Sequence, residues 1–427
     1  MTDVLSPAAV RRAFLLLSIT RCFPSGLVVG VITLWLLDRG LTISQALLAF
    51  SLQGIVVFLL ELPTSGFADA FGRRPLLIAA ASVNLVASAA FVLADSFWAF
   101  VLAAGLMGVF RALDSGPLEA WYVDTVHATE PGVDVDRTLA AQGTVVGGSI
   151  AAGSLLSGGL ILWDPLTGHS ALLLPLLCWA GLNVVHLIAV AILMKEPTSD
   201  ADGTGLARAA ASTREAPKVI REGLGMLRHN QVLLTLVLVE VFMTTGLVVF
   251  EIFQPIRLAE LVGGEERAGA LMGPVAAIGW GVFALGSALA GFTSARIGVA
   301  RTAIIARVLN GLGAVTMGVV AGPVALIAAY LLTYGLHGTG GPMHHTLLHR
   351  EARARNRATV LSMNSMVFFV TFSVVAPPLG LLAESTTTQV AMVTAGAVSI
   401  LGALLYLPAL RAERERDPVR ALRASEP

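Results

Sequence analysis

Charge is scarce in this sequence. Of its 427 residues only 13% are Asp, Glu, Lys or Arg, while 56% are hydrophobic and the mean hydropathy is +0.79. A soluble domain carries about 25% charged residues, so a water-facing surface has about half its usual supply here. That excludes an ordinary soluble enzyme, a nucleic-acid-binding module and a disordered scaffold. The 28 basic and 28 acidic residues cancel, and no bulk field draws an oppositely charged macromolecule. Lysine is nearly missing: Lys195 and Lys218 are the only two, which points to a GC-rich coding sequence and says nothing of mechanism. Two cysteines, Cys22 and Cys178, each inside an apolar run, exclude a disulfide framework. No Gly-rich loop ending in Lys-Ser or Lys-Thr occurs, so ATP-driven pumping through a P-loop has no basis. No cofactor motif is found.

What the chain does have is long apolar runs. A helix needs about 20 such residues to cross a bilayer, and β-barrel strands would alternate over about 10. The runs here are longer and apolar all round, which predicts an all-α integral membrane protein. Twelve spans are expected, at about 12–37, 44–67, 75–94, 97–124, 138–163 and 170–194, then 231–256, 269–293, 302–321, 323–347, 359–382 and 388–407. Residues 195–230 form a polar central loop. The domains are thus a six-helix half (1–194), a loop (195–230), a second six-helix half (231–410) and a tail (411–427). Arg11-Arg12 running into the first apolar stretch, with no small-residue cleavage site, reads as a retained span.

Basic residues set the expected direction. One side carries 22 of them, in loops 2–3, 4–5, 8–9 and 10–11, the central loop and both termini; the other carries only Arg39, Arg257 and Arg267. Both termini are therefore expected in the cytoplasm, in a multi-pass cell-membrane protein. Trp35, Trp98 and Trp163 fall at outer span ends, where an aromatic belt is expected. A trace of duplication is visible: Ser65-Gly66-Phe67-Ala68-Asp69-Ala70-Phe71-Gly72 closes span 2, and Gly291-Phe292-Thr293-Ser294-Ala295-Arg296-Ile297-Gly298 closes span 8 at a constant offset of 226. Pseudo-symmetric halves of this kind are a common transporter design.

The stretch Glu61-Leu62-Pro63-Thr64-Ser65-Gly66-Phe67-Ala68-Asp69-Ala70-Phe71-Gly72-Arg73-Arg74 resembles the loop 2–3 signature of the major facilitator superfamily. Asp69, Gly72, Arg73 and Arg74 keep its pattern, with Ser65 at the leading Gly and Ala70 at the first basic position. The resemblance implies the major facilitator fold, with spans 1, 4, 7 and 10 lining a central cavity. It also implies a gating latch of Asp69, Arg73 and Asp124 that holds the outward-open state. Read without the family, Gly72 permits a tight turn, and Asp69 can sit near Arg73 or a helix N-terminus.

An ionisable group at membrane depth is costly and marks function by default. The deep ones are Arg21 in span 1, Arg111 and Asp114 in span 4, Glu240 in span 7 and His337 in span 10, that is, every third span. His186, Glu61 and Arg307 are exceptions, the last placed where it could snorkel. Arg111 and Asp114 are three apart on one helix and can pair, either as a proton switch or as a static pair. Arg111-Ala112-Leu113-Asp114-Ser115-Gly116 resembles the family's span 4 signature, with Asp114 for a Gln-like residue. Glu240 is a candidate proton carrier or cation contact, since a carboxyl at that depth is costly to ionise, and Arg21 is its expected partner.

Pro24-Ser25-Gly26, Gly116-Pro117 and Gly338-Thr339-Gly340-Gly341-Pro342 are expected to interrupt their spans, and Pro255 to end span 7. Span 5 (Gly143, Gly147, Gly148, Gly153, Gly158, Gly159) and span 8 (Gly281, Gly286, Gly291) carry small residues that let helices approach closely. His345 and His349 have the spacing of helical zinc ligands, but flanking Arg350 favours a plain polar helix end, and no metal is expected. Met363, Met366, Phe368, Phe369 and Phe372 give span 11 a soft face suited to packing.

These readings point to a secondary active transporter working by alternating access. The resemblance to bacterial drug-efflux members, carried by the Glu-Leu-Pro-Thr run and the stretch from Ser115-Gly116 to Asp124, implies proton-coupled export of a hydrophobic or amphipathic small molecule. A gradient-coupled carrier of a polar metabolite is the alternative. A lipid-modifying enzyme would need clustered carboxylates, and Glu119, Asp124, Glu130, Asp134 and Asp136 lack metal-like spacing. The expected partners are the bilayer, protons and a small-molecule substrate, with the protein a monomer.

Overall fold

The computed structural model describes residues 6–65, 67–196, 205–352 and 356–415. These residues form helices joined by loops, with no strand among them. Ten helices are long and apolar enough to cross a membrane unaided: Ile43–Glu61, Arg73–Leu93, Phe97–Thr129, Asp136–Trp163, Leu173–Leu193, Gln231–Val262, Glu265–Ile297, Val299–Val319, Thr359–Ser385 and Thr388–Glu415. An eleventh is the bent pair Pro7–Val28 and Val31–Asp38. The twelfth, Pro323–Glu351, is 29 residues long, and the polar run from Tyr334 to Pro342 dilutes its hydropathy. In chain order these are spans 1 to 12.

The chain forms two compact units. The first comprises Met1–Ala216 with Gly263–Trp280, the second Pro217–Val262 with Gly281–Pro427. In the first, span 1 packs on spans 5 and 6, span 3 on spans 4 and 6, and span 2 on span 4. In the second, span 7 packs on spans 11 and 12, and span 9 on spans 10 and 12. Four of these five pairings recur six spans later, so the duplication glimpsed in sequence is also one of packing.

Matching backbone devices hold both repeats. Gly72 and Gly298, which precede spans 3 and 9, have φ of 88° and 93° with ψ of 158° and 157°, a conformation L side chains rarely adopt. Beyond each glycine a carboxylate bridges the first two N–H groups of the span. Glu196 accepts from Arg73 N and Arg74 N, and Glu413 from Val299 N and Ala300 N, all four at 3.0 Å. An anion there satisfies orphan donors and faces the positive end of the helix dipole.

Several breaks expected from sequence are absent. Span 1 runs straight through Pro24 and bends by 43° at Gly30, where φ is 72°. Span 10 is continuous through Pro342, because the carbonyl that Pro342 leaves without a helical donor, Gly338 O, accepts from Ser287 Oγ of span 8 at 2.9 Å. Span 7 does not end at Pro255: a π-helical turn, Val249–Phe253, absorbs the lost hydrogen bond and the helix continues to Val262. Span 4 does break, between Phe97–Leu113 and Pro117–Thr129, with Gly116 left-handed. The central loop carries a helix, Gly205–His229. Trp98 and Trp163 are 75% and 70% exposed, as a belt requires, whereas Trp35 is fully buried and donates to Phe91 O at 2.9 Å.

Close packing in the first unit depends on small residues of span 5. Ser154 and Ser157 donate to Gly26 O (3.0 Å) and Leu27 O (2.7 Å) of span 1. A Cβ on Gly153 would collide with the Phe23 carbonyl and lie 3.1 Å from Gly26 Cα, whereas one on Gly159 would meet nothing. Gly153→Val is therefore expected to lower the thermal midpoint in detergent by about 5 °C or more, and Gly159→Val to change it little. Equal midpoints for the two variants would contradict this packing.

Candidate functional site

The break in span 4 builds the site of the first unit. With the helix interrupted at Asp114-Ser115-Gly116, nearby carbonyls lose their helical donors, and side chains from other spans replace them. Thr64 Oγ1 of span 2 donates to Ala112 O at 3.1 Å, and Arg21 Nη2 of span 1 donates to Asp114 O at 3.3 Å. The same Arg21 places Nε 2.6 Å from Asp114 Oδ2 and Nη1 3.9 Å from Glu119 Oε1. Gln142 of span 5 holds Glu119 with a 2.6 Å hydrogen bond. Asp114 is 4% exposed, so its charge depends on that guanidinium.

This corrects the pairing read from local spacing. The close partner of Asp114 is Arg21, 93 residues away, where the i, i+3 spacing on span 4 had assigned Arg111; the Arg111 side chain is exposed. Arg21 and Glu240 each have partners within their own unit. Glu240 is 6% exposed in the second unit, where Asn364 Nδ2 donates to Oε2 at 2.9 Å and Thr244 Oγ1 to Oε1 at 3.4 Å. His344 Nε2 lies 3.6 Å from Glu240 Oε2 and 3.1 Å from Asn364 Oδ1, and its Nδ1 is 3.0 Å from the Tyr406 hydroxyl. Four helices thus meet in one polar chain: spans 7, 10, 11 and 12.

Arg307 does not snorkel. It is buried, hydrogen-bonds Asn310, and lines a small cavity with Asn310, His337, Gly340, Tyr406 and Met243. His337 also sits in an aromatic cluster, with ring centroids 5.1 Å from Phe250 and 5.9 Å from Phe283. Sequence reading missed Glu251, which the π-helical turn of span 7 carries beside Phe250. The signal was an acid inside span 7 flanked by Phe250 and Phe253.

At the arginine-rich end of the first unit, Arg73 Nη2 lies 2.7 Å from Asp124 Oδ2. Arg74 donates to Ala191 O at 2.8 Å. The Asp69 side chain lies outside the described residues. Glu196 was also missed, although a lone acid just past span 6, with Glu413 at the matching end of span 12, could have flagged it. His344 is engaged by Tyr406 and Asn364, and no group of three metal-ligating side chains occurs among the described residues.

Repeated apolar spans around compensated interior charges define a polytopic membrane transporter. The sequence pattern of the Major Facilitator Superfamily matches residues 14–371, and the chain belongs to that superfamily; it is a transporter, not an enzyme. Among solved structures it is similar to the nucleoside transporter NupG at 12% identity, with a TM-score of 0.75 over 93% of this chain and 98% of that one. It is also similar to a proton-dependent oligopeptide transporter (13%, TM-score 0.68, 95% and 99%). A further similar structure is a peptide transporter in complex with sulfate (12%, TM-score 0.71, 94% of each). At such identities the likeness is one of fold. No curated protein matches the chain in sequence.

Removing one member of the Arg21–Asp114 pair leaves a buried charge uncompensated, at a cost of about 3 kcal/mol or more. Arg21→Met and Asp114→Leu are each expected to destabilise the purified protein more than the double variant does. A thermal double-mutant cycle with additive effects would reject the pair.

Proposed function

We propose that the chain is a proton-coupled exporter of hydrophobic or amphipathic small molecules. It works by alternating access as a monomer in the cytoplasmic membrane, with both termini in the cytoplasm. The observation that carries this reading is the Arg21–Asp114 pair at the broken turn of span 4, with Glu119 alongside. Protonating Asp114 removes the charge that holds the guanidinium, and Glu119, already 3.9 Å away, can then receive it. Proton uptake would thereby move a cation between two carboxylates without leaving a bare charge in an apolar interior. Glu240 offers the second unit a similar buried acid, held by neutral hydrogen-bond donors. The excess of basic residues on one side supports the orientation. Drug-efflux members of the superfamily supply the export direction, through the loop 2–3 and span 4 resemblances.

The test is transport in proteoliposomes across a panel of amphipathic compounds, with and without an imposed pH gradient. Gradient-dependent movement of at least one compound is expected; movement of none, or movement indifferent to the gradient, overturns the reading.

Two sets of variants divide the roles. Arg73→Ala and Asp124→Asn break the ion pair at the arginine-rich end and are expected to abolish transport while membrane insertion stays normal. Near-normal transport by both, at equal expression, would remove the latch. Glu240→Gln keeps the shape but cannot exchange a proton, and is expected to flatten the pH dependence of transport. An unchanged pH profile would return Glu240 to a structural role and leave coupling to Asp114.

A further inference from the structure

Arg307 stands near the middle of span 9 and is only 5% exposed. A guanidinium keeps its charge in any protein setting and offers five N–H donors. Here Nη2 donates to Asn310 Oδ1, and Asn310 is itself fixed by a 2.9 Å bond from Nδ2 to Thr333 O of span 10. The buried Nε has no hydrogen-bond partner among the described residues. Nor does any carboxylate reach the guanidinium at ion-pair distance among them, whereas Arg21 in the first unit has Asp114. The acid of this interior, Glu240, is held by Asn364 and Thr244, with His344 beside it. Arg307 lines a cavity with room for about one atom of water size. Asn310, His337 and Tyr406 form its other polar walls, and Met243 and Leu336 part of its apolar ones, all within the second unit. Met243, Leu336 and His337 are half-buried, which leaves the cavity a way in.

We propose that this cavity binds a single halide ion, chloride, as the counter-charge of Arg307. The inference is independent of the exporter reading. A buried cation with no counter-charge is strongly destabilising. Water would satisfy the donors and leave the charge unanswered, and a metal cation would be repelled. Sulfate, phosphate or a carboxylate has several heavy atoms and exceeds the room. A halide needs one position, accepts N–H donors from any direction and tolerates apolar walls. The direction of the neighbouring hydrogen bonds selects the donors. Asn364 gives Nδ2 to Glu240, so its Oδ1 accepts from His344 Nε2, and in a neutral ring Nδ1 then accepts from the Tyr406 hydroxyl. Tyr406 therefore turns its proton away from the cavity. The donors left to face it are Arg307 and His337, whose ring makes aromatic contacts and no hydrogen bond among the described residues.

The experiment is equilibrium binding of radiolabelled chloride to the purified full-length protein in detergent, with sodium gluconate holding the ionic strength constant. Wild type is expected to hold a single chloride per chain, displaced by bromide and not by sulfate. Arg307→Gln is expected to abolish binding. His337→Phe, which keeps a ring and removes the donor, is expected to weaken it about tenfold. Glu240→Gln removes the negative charge of the same interior and is expected to tighten binding about threefold or more. No chloride held by wild type, binding that survives Arg307→Gln, or displacement by sulfate as readily as by bromide overturns the site. If Arg307→Gln does not fold, His337→Phe and Glu240→Gln are read instead, and unchanged chloride affinity in both overturns it. Chloride binding and gradient-driven efflux are separate readouts, and either can fail alone.

Discussion

Charge placed in an apolar scaffold must be answered by a partner, and the chain departs from regular helix where that answer is given. Arg21 can reach Asp114 because span 4 is broken, and the break is tolerable because Arg21 and Thr64 satisfy the carbonyls it exposes. The ion pair and the broken turn therefore depend on each other. Glu240 is kept in the second unit by Asn364, Thr244 and His344, and His344 in turn by Tyr406. The glycine turns ahead of spans 3 and 9 follow the same rule, with a carboxylate closing the exposed N–H groups.

The two repeats keep this backbone device and change its electrostatics. Asp124 at the end of span 4 and Arg350 at the end of span 10 occupy positions 226 apart, yet they carry opposite charge. In the first unit Asp124 pairs with Arg73, the residue whose N–H the clasp already holds. In the second the equivalent of Arg73 is Val299, and Arg350 pairs with the clasping Glu413 itself, at 2.9 Å. The neighbouring ion pair thus leaves the clasping carboxylate alone in the first repeat and engages it in the second. That asymmetry is a physical reason to look for gating at Arg73 and Asp124 before looking at the matching loop of the second repeat.

How much could be read beforehand follows from the range of each interaction. Spans, their number and the repeat are properties of consecutive residues and of loop composition, and they were legible. Partners were not. Asp114 has Arg111 three residues away and Arg21 ninety-three residues away, and local spacing selects the nearer. Proline signals failed for a related reason: whether Pro342 breaks span 10 depends on Ser287 of another span. Trp35 has the composition of a belt residue, but its indole finds a carbonyl in the interior. The helix at Gly205–His229 lies in a stretch whose polarity and Gly, Ser and Thr content masked it. Glu251 escaped notice although it lies in a span whose other acid was recognised, because the π-helical turn that carries it has no mark in the sequence.

The two carboxylate clasps also bear on the order in which the chain assembles. Glu196 closes on Arg73 across 123 residues, and Glu413 on Val299 across 114. Loop closure grows costlier only slowly with length, and contacts this distant in sequence are ones that slow folding. In each repeat the acid emerges only when the last of its six spans has been made, and it then seals the start of the third. A repeat left unfinished or misthreaded would lack that seal, so each clasp serves as a chemical record that its own six helices have come together.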